Sequence, residues 1–244
     1  MTNIIYNETI IVKKDTTFFS FEVEEDNRLF LESLNETNIR NFKDKDTDFD
    51  ISFNVFFNEI IKLSDYLERK ENMLHYNEAL QMIENVGNQM KYIENNGVTV
   101  PVINNDDIIV CKKDDDICIL MINFENSKII NDEDKIEIDY PIQKTKYFSL
   151  EHNNILELPK QIDKRSWIYS LGLLTIDCLT NNLDYKDLEN VYREIKSIEQ
   201  IKERNKRIKE YFFDIIRSIE RTKLYHCIMR TIEYEPTNRA LLIV

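Results

Sequence analysis

The sequence predicts a mixed α+β fold, in which a small β-rich part precedes a larger helical part. In the first fifty or so residues, β-branched and aromatic residues form short runs at 4–6, 9–12 and 17–23, and polar residues separate these runs. From Tyr76 onward, apolar residues recur at steps of three and four, which is typical of helices. The 244 residues are 42% hydrophobic, so the chain can bury a sizeable core in one or two domains.

The central elements follow in order. Leucines within 29–35 predict a short helix, and alternating apolar residues in 51–57 predict a half-buried strand. The apolar pattern from Tyr76 lasts five turns, and Gly97 is expected to close that helix because glycine readily adopts the left-handed conformation after a helix end. Two apolar runs around an acidic turn in 108–122 predict a β-hairpin.

The rest of the chain divides into a polar segment and a helical region. Residues 126–160 are polar, charged and poorly periodic, which predicts a long loop. The segment 167–178 has few polar residues and is expected to be a helix in the middle of the core. Three more helices are predicted at 185–195, 208–219 and 222–232.

Composition argues against several classes of function. The net charge of -13 repels phosphate backbones and anionic membranes, so neither nucleic acid nor a membrane is an expected partner. The three glycines are too far apart to form a phosphate-binding loop. The four cysteines and three histidines are scattered without metal-ligand spacing, so no metal or cofactor is expected. Free thiols and the lack of a leader or spanning segment predict a cytoplasmic protein.

The order of the predicted elements and several motifs resemble the eukaryotic protein kinase family. Residues 96–110 align without a gap on the kinase catalytic loop, and 107–110 (Asp-Ile-Ile-Val) match the Asn-Ile-Leu-Val that opens its hairpin. Residues 123–125 (Asn-Phe-Glu) fall where the family has Asp-Phe-Gly. Residues 168–172 (Ile-Tyr-Ser-Leu-Gly) resemble Val-Trp-Ser-Leu-Gly, and 235–239 (Glu-Pro-Thr-Asn-Arg) resemble Asp-Pro-x-x-Arg.

The resemblance implies a bilobal kinase-like fold with a reduced, β-rich N-lobe at 1–58 and a helical C-lobe at 59–244. The family's N-lobe lysine has no clear counterpart, because Lys13 and Lys14 come too early in the chain and the strand at 18–23 has no lysine. The helix carboxylate that pairs with that lysine aligns near Asn27, next to the three acidic residues Glu24, Glu25 and Asp26.

The catalytic positions implied by the resemblance have lost their chemistry. Val102 replaces the aspartate that accepts the substrate proton, and Asn104 replaces the lysine that follows it. Asp107 replaces the metal-binding asparagine while Asn123 replaces the metal-binding aspartate, so this pair has exchanged residue types. Asp107 is therefore expected to be an exposed surface carboxylate, and a residual cation or nucleotide site is the alternative interpretation.

Two supports of the family's fold are also altered. Trp167 replaces the aspartate that braces the catalytic loop, which predicts an apolar plug in place of a hydrogen bond. Lys160 replaces the glutamate that pairs with the late arginine, so Arg239 needs another partner, and Glu157 is a candidate.

The sequence therefore predicts a catalytically inactive kinase-like protein, or pseudokinase, that acts by protein binding as a regulator, scaffold or decoy. Its expected partner is a protein such as an active kinase or a kinase substrate, and a composition typical of an AT-rich genome fits a viral decoy in the host cytoplasm. The alternatives are an atypical nucleotide-dependent phosphotransferase with rearranged carboxylates, and a structural subunit. Residues 126–160 and a charged helix at 195–209 are candidate contact surfaces, with solvated charged faces as the alternative.

Overall fold

The computed structural model describes residues 2–6, 10–23, 27–44 and 52–241 and confirms a mixed α+β fold. Its strands are β1 (Thr2–Tyr6), β2 (Ile10–Lys14), β3 (Phe19–Val23), β4 (Ser52–Val55), β5 (Glu59–Lys62), β6 (Val98–Thr99), β7 (Ile108–Lys113), β8 (Asp116–Met121), β9 (Lys128–Ile129), β10 (Lys135–Ile138) and β11 (Lys160–Asp163). Its α-helices are α1 (Arg28–Leu34), α2 (Leu63–Arg69), α3 (Tyr76–Asn95), α4 (Ser166–Thr180), α5 (Tyr185–Ser197), α6 (Ile201–Ile216) and α7 (Lys223–Thr231).

The first four strands form one antiparallel sheet in the order β1-β2-β3-β4. Phe21 on β3 lies opposite Phe53 on β4, and their rings stack with centroids 5.1 Å apart. Such aromatic cross-strand pairs hold the register of a short sheet. Ile51 and the acidic residues 24–26, which the sequence analysis uses, lie outside the described residues.

The long helix α3 is confirmed and provides the support on which the other elements pack. Its buried face contains the predicted apolar residues, and Gly97 follows its end with a φ of 81°, in the left-handed region that glycine tolerates. The helix contacts α1, α4 and β8. It therefore links the region before the hairpin to the helical region after it.

The predicted hairpin forms β7 and β8, and β5 pairs with β7 to give a sheet in the order β5-β7-β8. Strand β8 is at the edge of this sheet. The amide of Gln89 on α3 accepts a hydrogen bond from the Met121 N–H (3.0 Å) and donates to its carbonyl (3.1 Å). The Asn38 amide donates to the carbonyl of Ile117 (3.3 Å) on the same strand.

Helix α4 lies in the middle of the core, as predicted, and its residues 166–178 are all buried. The close approach of α7 requires Gly172, because a Cβ atom there would lie 2.0 Å from the Thr231 Oγ1. One continuous cluster of buried apolar side chains extends from Ile10 on β2 to Leu241. The sheet and the helices therefore share a single core.

Two predictions about secondary structure are wrong. The segment 126–160 is not a single loop, because β9 and β10 lie within it and β10 pairs with β11 around a small cluster of Ile136, Ile138 and Ile162. The segment 195–209 is not a single helix, because the chain leaves helical geometry at 198–200 between α5 and α6. Among the described residues, no helix is long and apolar enough to cross a membrane.

Candidate functional site

The candidate site is built around the segment 100–107, which connects β6 to β7. Three of its side chains, Val100, Val102 and Ile103, are buried in the core cluster. Val102 is only 5% exposed and has no group that could accept a proton. The position that aligns with the family's catalytic aspartate is therefore part of the core.

Ser170 on α4 braces this segment. Its Oγ accepts a hydrogen bond from the Ile103 N–H (2.9 Å) and donates to the Ile103 carbonyl (3.2 Å). Both groups are buried, where an unpaired backbone group would be costly. This role is not predicted from the sequence, in which the only signal is a serine within a very apolar helix.

Trp167, one turn earlier on α4, is not the apolar plug that the sequence analysis predicts. Its side chain is fully buried, and its Nε1 donates a hydrogen bond to Oε2 of Glu94 on α3 (2.8 Å). Oε1 of the same glutamate lies 3.3 Å from Nζ of Lys164. The indole therefore ties α4 to α3, and the loop brace lies three residues further along the helix.

Asp107 is buried, so its interpretation as an exposed surface carboxylate is wrong. Its Oδ2 accepts hydrogen bonds from the backbone N–H (2.7 Å) and the side-chain amide (3.2 Å) of Asn104. Its Oδ1 accepts a hydrogen bond from the Asn123 amide (2.8 Å). Burial raises the pKa of Asp107, while these hydrogen bonds oppose that rise.

The structure thus brings together three of the four predicted site residues, Asn104, Asp107 and Asn123, and places Val102 in the core beside them. Both carboxylate oxygens of Asp107 are already hydrogen-bonded within the protein. Cation ligation by Asp107 would compete with these contacts, which close the 104–107 turn. Within the described ranges, no group of three or more His, Cys, Asp or Glu side chains could hold a metal ion.

A polar cleft of about 750 Å³ opens beside this turn. Asp106 and Asp107 line one side, and the segment 140–147 lines another. Two groups of this segment reach Asp177 on α4, because the Lys146 Nζ and the Tyr147 hydroxyl each lie 2.7 Å from its carboxylate. The chain's own lysine therefore neutralises part of the acidic charge in the cleft.

The lysines near the start of the chain do not face a helix carboxylate. Lys13 forms an ion pair with Glu22 on the neighbouring strand, and the Nζ of Lys14 lies 5.7 Å from the centre of the Phe19 ring. On α1, Glu32 accepts hydrogen bonds from the Tyr92 hydroxyl and from Arg28, both at 3.0 Å. No lysine–glutamate pair therefore joins α1 to the described part of the sheet.

Arg239 has the compensating partner that the sequence analysis predicts, although the residue is not Glu157. Its guanidinium donates to both carboxylate oxygens of Glu151, at 2.7 and 3.0 Å, and its side chain is fully buried. It also lies over the Tyr169 ring of α4, 4.8 Å from the centre. A bidentate pair of this kind fixes the segment 150–154 against α4.

No model of a known protein family matches this chain, and no curated protein matches it.

Proposed function

We propose that this chain is a catalytically inactive protein kinase-like protein, or pseudokinase, that acts by binding other proteins. The observation that carries the proposal is the closed cluster at 104–107. The buried Val102 occupies the position that aligns with the kinase family's catalytic aspartate. The exchanged residues Asp107 and Asn123 are hydrogen-bonded to each other. A protein that keeps a fold after losing its chemistry retains its surfaces, which points to a regulator, scaffold or decoy.

The order of elements supports a bilobal kinase-like fold. An antiparallel sheet with α1 between its third and fourth strands is followed by β5, the long helix α3, a hairpin and the buried helix α4. The family resemblance implies this order, with a reduced N-lobe over 1–58 and a helical C-lobe over 59–244. The expected partners are an active kinase or a kinase substrate in the cytoplasm.

The residues at the cleft lack the groups that phosphoryl transfer uses. A kinase needs a carboxylate that accepts the substrate proton, a lysine on the phosphates and carboxylates that hold Mg²⁺. Here a valine stands at the position of the proton-accepting carboxylate, and the described strand β3 contains no lysine. Asp107 is already hydrogen-bonded to Asn104 and Asn123. The one feature that favours the alternative phosphotransferase is the presence of Asp106, Asp107 and Asp177 in one cleft.

A nucleotide titration tests the proposal. The midpoint of thermal unfolding is measured with ATP alone and with Mg²⁺ or Mn²⁺, and transfer of labelled phosphate to the protein or to a mixed protein substrate is measured in parallel. A nucleotide bound with a Kd of about 50 μM would stabilise the native state by about 2.7 kcal/mol at 100 times that concentration. We expect no shift in the midpoint and no transfer.

The Asp107→Ala variant removes an internal acceptor and is itself expected to lower stability, so the nucleotide response is compared within each variant. Asp115→Ala, on the exposed turn of the β7–β8 hairpin, is the matched control. An ATP-dependent rise that Asp107→Ala abolishes and Asp115→Ala retains, together with phosphate transfer, would support the phosphotransferase and overturn the proposal.

A further inference from the structure

Charge is distributed unevenly along this acidic chain. Residues 186–239 contain thirteen Lys and Arg against ten Asp and Glu, although the whole chain has a net charge of -13. Helix α6 alone has five basic and three acidic residues. Salt screens charges beyond about 8 Å at physiological ionic strength, so this basic region attracts an acidic ligand at short range despite the acidic remainder.

A groove of about 440 Å³ lies between α6 and α7. Positions three or four residues apart on the two helices line it. Its basic side chains are Lys202, Lys206 and Lys209, its acidic side chain is Glu210, and its apolar side chains are Phe213, Tyr225 and Met229. The Phe213 and Tyr225 rings meet edge to face with centroids 6.2 Å apart. The groove therefore combines an apolar surface with a lysine row.

Two of the three lysines have charge available for a ligand. Lys209 is ion-paired with Glu233, whereas the Lys206 Nζ lies 3.9 Å from the Glu210 carboxylate on an exposed surface. Lys202 is exposed and forms no ion pair within the described part of the chain. It also lies in the first turn of α6, where the helix dipole favours an acidic side chain, so it costs the helix some stability.

We infer that this groove binds a short acidic segment of another protein that carries apolar side chains three or four residues apart. Apolar side chains of the ligand would cover Phe213, Tyr225 and Met229, and its carboxylates would pair with Lys202 and Lys206. The inference deepens the proposed protein-binding function and rests on it for the kind of occupant.

Fluorescence anisotropy with the full chain tests this inference. The probe is a fluorescein-labelled peptide with one Phe and two Leu spaced three and four residues apart among Glu residues. We expect saturable binding that Lys202→Glu/Lys206→Glu weakens at least tenfold and that Met229→Ala weakens severalfold. Lys62→Glu/Lys113→Glu makes the same charge change at exposed positions outside the groove and is expected to leave binding unchanged.

The thermal midpoint of the double variant is measured separately, because Lys202→Glu suits the helix dipole whereas Lys206→Glu replaces an i,i+4 ion pair with Glu210 by a like-charge pair. The inference is overturned if binding does not saturate up to about 1 mM peptide. A Kd of about 1 mM corresponds to a binding free energy of about -4 kcal/mol. Three other outcomes also overturn the inference. A peptide with serine in place of Phe and Leu could bind equally well, or a single-stranded oligonucleotide could bind more tightly. The protein could also self-associate in a way that the charge reversal abolishes. Nucleotide turnover at the cleft would overturn the inactive-kinase proposal and leave these results intact.

Discussion

At the scale of single residues, the segment 100–107 depends on hydrogen bonds from partners that are distant in sequence. Ser170 holds the backbone of Ile103, and the Asn123 amide holds the carboxylate of Asp107. These contacts hold the backbone and the carboxylate of this segment in place.

Replacing Ser170 by alanine is expected to destabilise the protein by about 1–3 kcal/mol, because the buried Ile103 N–H and carbonyl lose their partner. The loss is measured as a lower urea midpoint with an unchanged slope. Ser218→Ala, on the exposed turn after α6, is the control and is expected to change stability by less than about 0.5 kcal/mol. Equal midpoints for the two variants would show that Ser170 is not a brace.

His152 makes stability depend on pH. The pKa of this histidine is lowered from 6.5 to about 4, chiefly because the ring is buried; the Glu151 carboxylate opposes the shift and the Arg239 charge adds to it. Between pH 6.5 and about 4 the unfolded state therefore binds more protons than the folded state. Stability is lost as the pH falls through this window, by about 3 kcal/mol at about 1.4 kcal/mol per pKa unit.

The measurement compares urea unfolding of the wild type and His152→Phe from pH 7 to pH 4, since other groups titrate in the same range. Phenylalanine keeps a ring against Phe148, whose ring centre lies 5.0 Å from that of His152. The difference between the two stability curves is expected to change with pH. Ser149→Ala removes the hydrogen bond to the His152 Nδ1 (2.8 Å) but keeps the titrating ring, so it should retain the wild-type slope.

Some of these residue roles could be predicted from the sequence and others could not. The motif alignment placed Val102, Asp107 and Asn123 in one neighbourhood, and the structure brings the latter two into contact. The role of Glu151 as partner of Arg239 has no sequence signal, because the two residues are 88 positions apart and several other acidic residues lie nearby in the chain. Partner choice at that distance depends on how the helices pack.

At the scale of elements, the packing of α4 on α7 limits which residues can occupy their crossing. Gly172→Ala would improve the helix propensity of α4 by about 1 kcal/mol, but the added methyl group would overlap Thr231. Overpacking of this kind costs about 1–3 kcal/mol, so we expect a net loss of stability that calorimetry detects as a lower midpoint.

The double variant Gly172→Ala/Thr231→Ala is the control for that prediction. It removes the Thr231 hydroxyl, which the new Cβ would meet at 2.0 Å and which bonds only to its own helix, at the carbonyl of Ile228 (2.7 Å). The contacts of the new Cβ with the Thr231 Cβ (2.9 Å) and the Ile232 Cγ2 (3.2 Å) remain. Part of the lost stability should therefore return, because the closest of the three contacts is gone. A double variant that is no more stable than Gly172→Ala would contradict the steric explanation.

Element prediction worked where burial imposed a clear period. Helices α3 and α4 have apolar faces whose spacing decides their geometry, and both were predicted within a few residues. The break between α5 and α6 was missed because no proline or glycine marks 198–200 and the charged pattern continues through it. Strands β10 and β11 were missed because each is four residues long and its partner is more than twenty residues away.

At the scale of the whole molecule, the continuous core predicts cooperative unfolding. The cluster joins residues of β2, β3, α3 and α4, so the sheet cannot detach without exposing apolar surface on both sides. We expect a single urea transition. Fluorescence of Trp167, the single tryptophan, and hydrogen exchange of the β2 and β3 amides should report the same midpoint. Exchange in the sheet at a lower midpoint would contradict this prediction.

The amides that cover the outer side of β8 have a consequence for the solubility of the protein. An open strand edge presents backbone groups that can pair with another chain, and natural proteins block such edges to prevent aggregation. Gln89 satisfies both backbone groups of Met121, and Asn38 satisfies the Ile117 carbonyl. Because β8 is rich in isoleucine and leucine, we expect these two amides to disfavour the pairing of another chain with this edge at residues 117 and 121.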